Sequence, residues 1–337
     1  MGTDGTLRIL LPLVRCALWN TPATAGVLSI VADFDESDWQ RLCREASRQS
    51  VSGLLYAALD MLPEEVIVPE SILFYTMTEA ERISSGSRRI MEVQEALLKK
   101  FRAYGLRPTV IKGTTCAQRY PRPLLRGGGD IDLYIPPETW GRLAEVASLE
   151  GWTLERSSDG SHHLIIDGID VDMHPSYFDL HVPAAKLPPV PSLEAELLML
   201  SAHIFKHAST SGVGLRPLCD FALAWRQYTG DRKALEAYFK AAGMARWNML
   251  LLSFLNDWMG LEDASARVSS DILMRTIGQG GHLGQYGTGR GAALLSRRFF
   301  RKADTFFRML RRLPFAMRYA PKEALSYMSE LVRGNLN

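Results

Sequence analysis

Apolar positions along the chain change their period twice. Up to residue 98 they recur at helical spacing. Asp35 or Ser37 can cap a helix through Trp39, with Leu42 and Ala46, then Leu54 and Leu55, on its apolar side. Pro63 and Pro69 punctuate the next loop. Residues 71–104 form one long helical pattern through Ile90, Val93, Leu97 and Leu98, with Gly105 as its C-cap. From 106 to 182 strand and helix signals alternate. The pattern predicts a strand at 108–111, a helix at 114–120, a strand at 130–135, a helix at 137–149, a strand near 152–156 and then a hairpin. Four prolines (183, 188, 189 and 191) read as a linker, and helical spacing returns from Ser192 to about Gly260. The glycine-rich stretch 278–291 is expected to be a linker loop, with a lid over a substrate as the alternative. Residues 294–337 read as one or two basic helices. The expected class is α+β: a helical region at 1–105, a small mixed-sheet core at 106–190, and a helical region with a basic tail at 191–337.

The middle segment carries the chemistry. Arg126-Gly-Gly-Gly leads into Asp130-Ile-Asp132-Leu-Tyr-Ile135. Alternate strand residues share a face, so Asp130 and Asp132 project together. Two carboxylates repel by about 4 kcal/mol at about 4 Å and an effective dielectric of about 20. A cation relieves this, and close oxygens suit Mg²⁺ or Mn²⁺, especially with substrate phosphates in the coordination shell. Alone, the pair is more often a solvated edge-strand face. Downstream, Asp167-Gly168 between apolar runs is a strong hairpin signal. A two-residue turn there pairs Ile166 with Ile169 and His163 with Asp172. Ile169, Val171 and Met173 then share one face, and Asp170, Asp172 and His174 the other. A plain amphipathic hairpin would show the same pattern. Upstream, Thr109 to Ile111 read as a strand that Gly113 breaks, with Thr114 or Thr115 capping a helix. A helix start behind a glycine can bind an anion, though an ordinary turn looks alike. It is not a Walker A loop, because the first glycine is missing.

Together these elements resemble the DNA-polymerase-beta-like nucleotidyltransferase superfamily: Gly113-Thr114, then Asp130-x-Asp132, then Asp172. Thr114 stands where that pattern has Ser or Gly, and the gap to Asp130 is longer than its minimal form. The chain more closely resembles the bacterial "uncharacterised nucleotidyltransferase" family, often found beside biosynthetic clusters, including those for modified peptides. Trp39-Gln-Arg-Leu, Val51 to Leu59, Ile111-Lys-Gly-Thr, Gly129-Asp-Ile-Asp-Leu, Val171-Asp-Met-His174 and His203 to Leu223 carry the likeness. It implies transfer of a nucleoside monophosphate, AMP from ATP first among NTPs, to an acceptor hydroxyl or similar nucleophile with release of pyrophosphate. Asp130 and Asp132 would bridge two Mg²⁺ (or Mn²⁺) ions about 3.5–4 Å apart. Asp172 would complete the metal and catalytic set. Gly113 and Thr114 would hold the β- and γ-phosphates through amide and hydroxyl groups, with Lys112 and Arg126 neutralising charge. His163 and His174 would orient Asp172 or meet the acceptor. The acceptor could be a peptide, small molecule, protein or RNA. The alternative is a catalytically silent module of the same fold that recognises a peptide or protein partner. A phosphohydrolase built on His203, His207 and Asp220 ranks last.

Composition adds bounds. With 47% hydrophobic and 23% charged residues the chain reads as an ordinary globular protein. A net charge of +2 argues neither for nor against nucleic acid. Cys16, Cys43, Cys116 and Cys219 form no C-x-x-C pair, which fits a reducing cytoplasm. Arg8 and Arg15 interrupt the apolar run from Leu7 to Leu18, so no transmembrane segment is expected. His203 and His207 share a helical face; a structural role is the commoner one, and His207 near a phosphate or the acceptor is the alternative. Arg216 and Asp220 could form an i,i+4 salt bridge, or Arg216 could touch the triphosphate. From Arg297 to Arg333 ten Lys/Arg stand against three Asp/Glu, interleaved with Phe299, Phe300, Phe306, Phe307 and Tyr319. An amphipathic helix with its aromatics in the core is the favoured reading, over a surface for RNA, acidic peptide or membrane.

Overall fold

A computed structural model describes residues 3–157, 160–263, 268–280 and 309–332. The N-terminal helices are α1 (Thr3–Trp19), α2 (Ala25–Val31), α3 (Glu36–Arg48), α4 (Ser52–Leu59) and α5 (Glu70–Ala103). Asp35, rather than Ser37, caps α3: it accepts from the Asp38 amide while Asp38 reaches back, a reciprocal capping box. Gly105, with φ 76°, supplies the left-handed turn after α5.

The chain then enters the mixed α/β segment: β1 (Thr109–Val110), α6 (Thr114–Ala117), β2 (Asp130–Tyr134), α7 (Trp140–Leu149), β3 (Glu155–Arg156), β4 (His162–Ile166) and β5 (Ile169–His174). Several elements are shorter than the sequence predicts. β1 ends at Val110, although the Ile111 amide still reaches the Asp132 carbonyl. α6 stops at Ala117 instead of 120, and Pro121 and Pro123, lacking amide hydrogens, follow soon after. Residues 137–139 form a 3₁₀ turn ahead of α7.

The C-terminal helices are α8 (Leu193–Ser209), α9 (Leu215–Gln227), α10 (Arg232–Ala241), α11 (Ala245–Met259) and α12 (Asp271–Gly280). A helical stretch at 309–319 and a last helix (Pro321–Val332) follow. Gly278 and Gly280, expected in a loop, are the final residues of α12. The rest of that loop, and the basic residues 297–308, lie outside the described residues. Where the tail is described, its apolar side packs inward: Met309, Ala316, Ala320, Ala324 and Tyr327 are buried, and Phe315 and Tyr319 lean on the same core.

The described residues form two hydrophobic cores, and both helical regions share one of them. Leu10 and Leu13 of α1 belong with Leu251 of α11, Leu273 of α12 and Tyr327 of the last helix. The other core lies under the sheet: Ile131, Leu133, Val171 and Met173 pack with Leu97 and Phe101 of α5 and Leu143 and Val146 of α7. α5 runs through both, with Ile72 and Ala80 in the first and Ile90 and Val93 in the second. Burying each aliphatic side chain is worth about 1.5–3 kcal/mol, so a helix holding two cores ties the sheet to the helical body. At Gly53 of α4 a Cβ would stand 2.1 Å from the Leu125 carbonyl oxygen. Only glycine allows this approach, which pins the N-terminal helices against the loop leading into β2.

Candidate active site

The hairpin forms in the expected register. Asp167 and Gly168 both have positive φ, as a type I′-like turn requires, and Ile166 faces Ile169 while His163 faces Asp172. The sheet order is β1-β2-β5-β4-β3. β2 runs parallel to β5, with Asp132 opposite Asp172 and Asp130 opposite Asp170. β3 places Glu155 opposite His163. One polar rung therefore crosses four strands: Glu155, His163, Asp172, Asp132. The next rung on the same face holds Ile165, Asp170 and Asp130. Because cross-strand partners share a face, the opposite face keeps its aliphatic residues for the core.

The acids are not equivalent. Ligand atoms of Asp132, Asp172 and His174 lie within 4.8 Å of one another; Asp130 falls outside this group. Asp132 is 7% exposed. Its Oδ1 lies 2.9 Å from Lys112 Nζ and 3.0 Å from His174 Nε2. Burial pushes its carboxyl up, but Lys112 and His174 outweigh burial and hold it below the ordinary range. Asp130 opens onto the cleft. Protein around it and the Asp132 charge push its carboxyl up, against Lys112 and Arg216. Burial pushes Lys112 down, yet Asp132, Asp130 and Asp179 keep it above its usual value. His163 Nδ1 lies 2.5 Å from Asp172 Oδ1, and its Nε2 3.3 Å from Ser161 Oγ.

Lys112 and Gly113 have φ of 77° and 53°. This turn ends the β1 segment and opens α6. Among the described residues no acceptor takes the Gly113 or Thr114 amide hydrogen. The Thr114 hydroxyl, expected to help hold phosphate, is already engaged with Gln94 Oε1 at 2.8 Å.

Arg126 lines the cleft beside the acids, and its guanidinium is committed to an internal ion pair. Its Nε and Nη2 donate to the two oxygens of Asp220 at 2.7 and 2.6 Å, and the Tyr120 hydroxyl donates to the same carboxylate at 2.6 Å. Burial pushes the guanidinium down; Asp220 more than restores it. The pair is bidentate and buried, so Asp220 binds Arg126, and the same carboxylate also acts on Arg216, one turn before it on α9. Arg216 lies closer to the acids: burial and Arg126 push its guanidinium down, while Asp220 and Asp130 oppose them.

Two cavities meet at the acids. A cleft of about 550 Å³ is lined by Lys112, Gly113, Asp132, His174, His203, Lys206 and His207. Another, of about 960 Å³, extends over the hairpin to Trp152 and Glu155. They share Gly128, Asp130, Asp172 and Arg216. His207 and Arg216 thus face the cleft, as does His203, whose ring meets that of His207 at 4.4 Å. Burial and the neighbouring Lys112 hold His203 neutral, well below its usual value. Lys206 and its partner Asp179 were not singled out in the sequence; only their position in the three-dimensional cleft marks them.

Neighbouring carboxylates on parallel strands, beside a lysine-glycine turn and a cleft lined by basic residues, could hold a cation together with an anionic group. The whole-chain comparison narrows that class. Residues 35–260 match the model of the family described as "Uncharacterised nucleotidyltransferase", and the chain belongs to that family. No curated protein and no solved structure matches it. Among the described residues no helix is long and apolar enough to cross a membrane.

Proposed function

We propose that the protein transfers a nucleoside monophosphate, AMP from ATP, to an acceptor hydroxyl or similar nucleophile and releases pyrophosphate. The observation that carries this reading is the Asp132–Asp172 pair on adjacent parallel strands, with Asp130 one rung away and Lys112 against Asp132. The donor set fits Mg²⁺ or Mn²⁺: carboxylate oxygens suit these hard cations, and His174 is held against Asp132 as an orienting partner. Asp132 and Asp172, with Asp130, would hold the ion. When bound it supplies charge neutralisation at the reacting phosphate and lowers the pKa of a bound hydroxyl.

The chain's own groups do the rest. The Gly113 and Thr114 amides donate to phosphate oxygens. Lys112, Arg216 and Lys206 offset the charge of the triphosphate in the 550 Å³ cleft. Asp172 accepts the acceptor's proton, and His163, bonded to it through Nδ1, fixes the carboxylate's orientation. Arg126 lines the same cleft with its guanidinium held by Asp220, and adds positive charge there from behind that pair. The larger cavity, which reaches the same acids from the hairpin side, receives the acceptor.

The test is incubation with Mg²⁺ and each α-labelled NTP in cell extract, with Asp132→Asn alongside. Label should move onto one acceptor class with the native protein and not with the variant. Nucleotide binding without any transfer would favour a silent binding module instead.

A further inference from the structure

The last helix lies beyond the segment that matches the family, yet it reaches the cleft. Glu323, in its first turn, is 1% exposed. Its two oxygens lie 3.1 and 3.3 Å from the His181 amide nitrogen, and one lies 2.9 Å from His181 Nδ1. One turn on, the Tyr327 hydroxyl donates to the Asp179 carbonyl at 3.3 Å. The Asp179 carboxylate in turn holds Lys206 Nζ at 2.5 Å. Asp179, His181 and Lys206 all line the 550 Å³ cleft. The preceding helical stretch grips the same wall from its other end. Arg312 Nη1 donates to the carbonyl of Ala208 at 3.1 Å and approaches those of His207 and Thr210 at 3.5 Å, where α8 ends.

A carboxylate this deep is costly unless it is hydrogen-bonded, and an apolar residue of similar size often serves stability as well. What Glu323 adds is direction. It fixes the backbone at His181, two residues from Asp179, while its place in the first helical turn favours its charge. We propose that Glu323 is a positioning residue for nucleotide binding. With Tyr327, it holds the 179–181 segment so that Asp179 presents the Lys206 ammonium to the triphosphate. This role rests on the nucleotidyl-transfer reading above.

Calorimetric titration of the full chain with ATP and Mg²⁺ tests it, using Glu323→Ala, Lys206→Ala and the double variant in a cycle. Each single change should weaken binding about tenfold, and the double variant should bind no more weakly than Lys206→Ala alone. Glu323→Gln, which keeps an acceptor for the His181 amide, should recover most of the affinity. Adenosine without phosphates should bind all variants alike. Independent, fully additive losses in the cycle, or an unchanged affinity in Glu323→Ala, would overturn the positioning role. Should Glu323→Ala fail to fold, Tyr327→Phe decides. It removes only one hydroxyl and should weaken ATP about two- to threefold; native affinity there overturns the role. If the native protein binds no nucleoside triphosphate with Mg²⁺, the transfer reading falls and the role with it. If it binds and Glu323→Ala binds equally, only the role falls.

Discussion

Arg126 and Asp130 lie four residues apart on one loop, and their charges are handled in opposite ways. Arg126 turns inward, where Asp220 takes both ends of its guanidinium and Tyr120 fills a further site on that carboxylate. Asp130 turns outward with Asp132 and Asp172 onto a face where the carboxylates outnumber the cations touching them. In the first cluster each charge has a direct counter-charge. In the second, Lys112 and His174 satisfy Asp132, while Asp130 is left at the junction of two cavities. Closed charge sets of this kind hold a fold; open ones facing a cleft await a ligand. The glycines 127–129 separate the two, so the loop can bury one side chain and expose the other within four residues.

Breaking the closed cluster should give the largest effect. Asp220→Ala leaves the Arg126 guanidinium buried without its partner, and such losses run to about 3–5 kcal/mol. The midpoint of urea unfolding should fall accordingly. A change near zero would show that Arg126 can swing out, making it available to phosphate after all.

Asp132→Asn comes next, because it strikes both activity and stability. Transfer of label should drop to background. Unlike a purely repulsive acid, Asp132 is held below the ordinary carboxylate range by Lys112 and His174. Its charged form therefore stabilises the fold at neutral pH, and that contribution is lost as pH falls through the depressed folded-state value. Replacing it should cost about 1–3 kcal/mol at pH 7, since Lys112 stays buried opposite an amide. Native stability in this variant would mean that the Lys112–Asp132 contact is incidental.

Asp172→Asn and Asp170→Asn compare two acids on the same strand. Asp172 sits opposite Asp132 and within the metal-capable group; Asp170 sits opposite Asp130 and outside it. Pyrophosphate release should be lost in the first and largely kept in the second. The reverse result would move the reacting phosphate one rung toward the hairpin turn.

Much of this contrast could be read from the chain. Asp167-Gly168 fixed the hairpin, the hairpin fixed its register, and the two-residue period put the carboxylates on one face. These are local signals, written in neighbouring residues. The pairing of Arg126 with Asp220 spans 94 positions and that of His181 with Glu323 spans 142, so no spacing rule announces them. A basic residue before a glycine loop reads as a phosphate ligand in isolation; the carboxylate that α9 brings to Arg126 is not visible there. The union of both helical ends in one core was hidden for the same reason. Amphipathic helices show that they need a partner, but not which one. The short β1 and β3 had too few residues to show a period clearly.

Asp130→Asn should give the smallest effect on the apo protein, and its sign is what sharpens the comparison. The native carboxyl is pushed above its ordinary value, by surrounding protein first and by Asp132 second. A raised acid favours the fold only while protonated; that advantage is lost as pH rises through its folded-state value. The amide mimics the protonated form, so the variant should be more stable than the native chain at pH 7. Because the group faces solvent, screening limits the gain to within about 1 kcal/mol. It should shrink as the pH is lowered and the native carboxyl itself takes up a proton. Thermal melts of both proteins at pH 7 and at pH 4, at low salt and without divalent metal, check this. Adding Mg²⁺ should then raise the native melting temperature more than that of Asp130→Asn, because ligand binding stabilises in proportion to affinity. Two acids separated by one residue would thus respond to the same Asp→Asn change with opposite signs. If Asp130→Asn instead destabilises as Asp132→Asn does, Asp130 belongs with the closed set, and the open face reduces to Asp170 and Asp172.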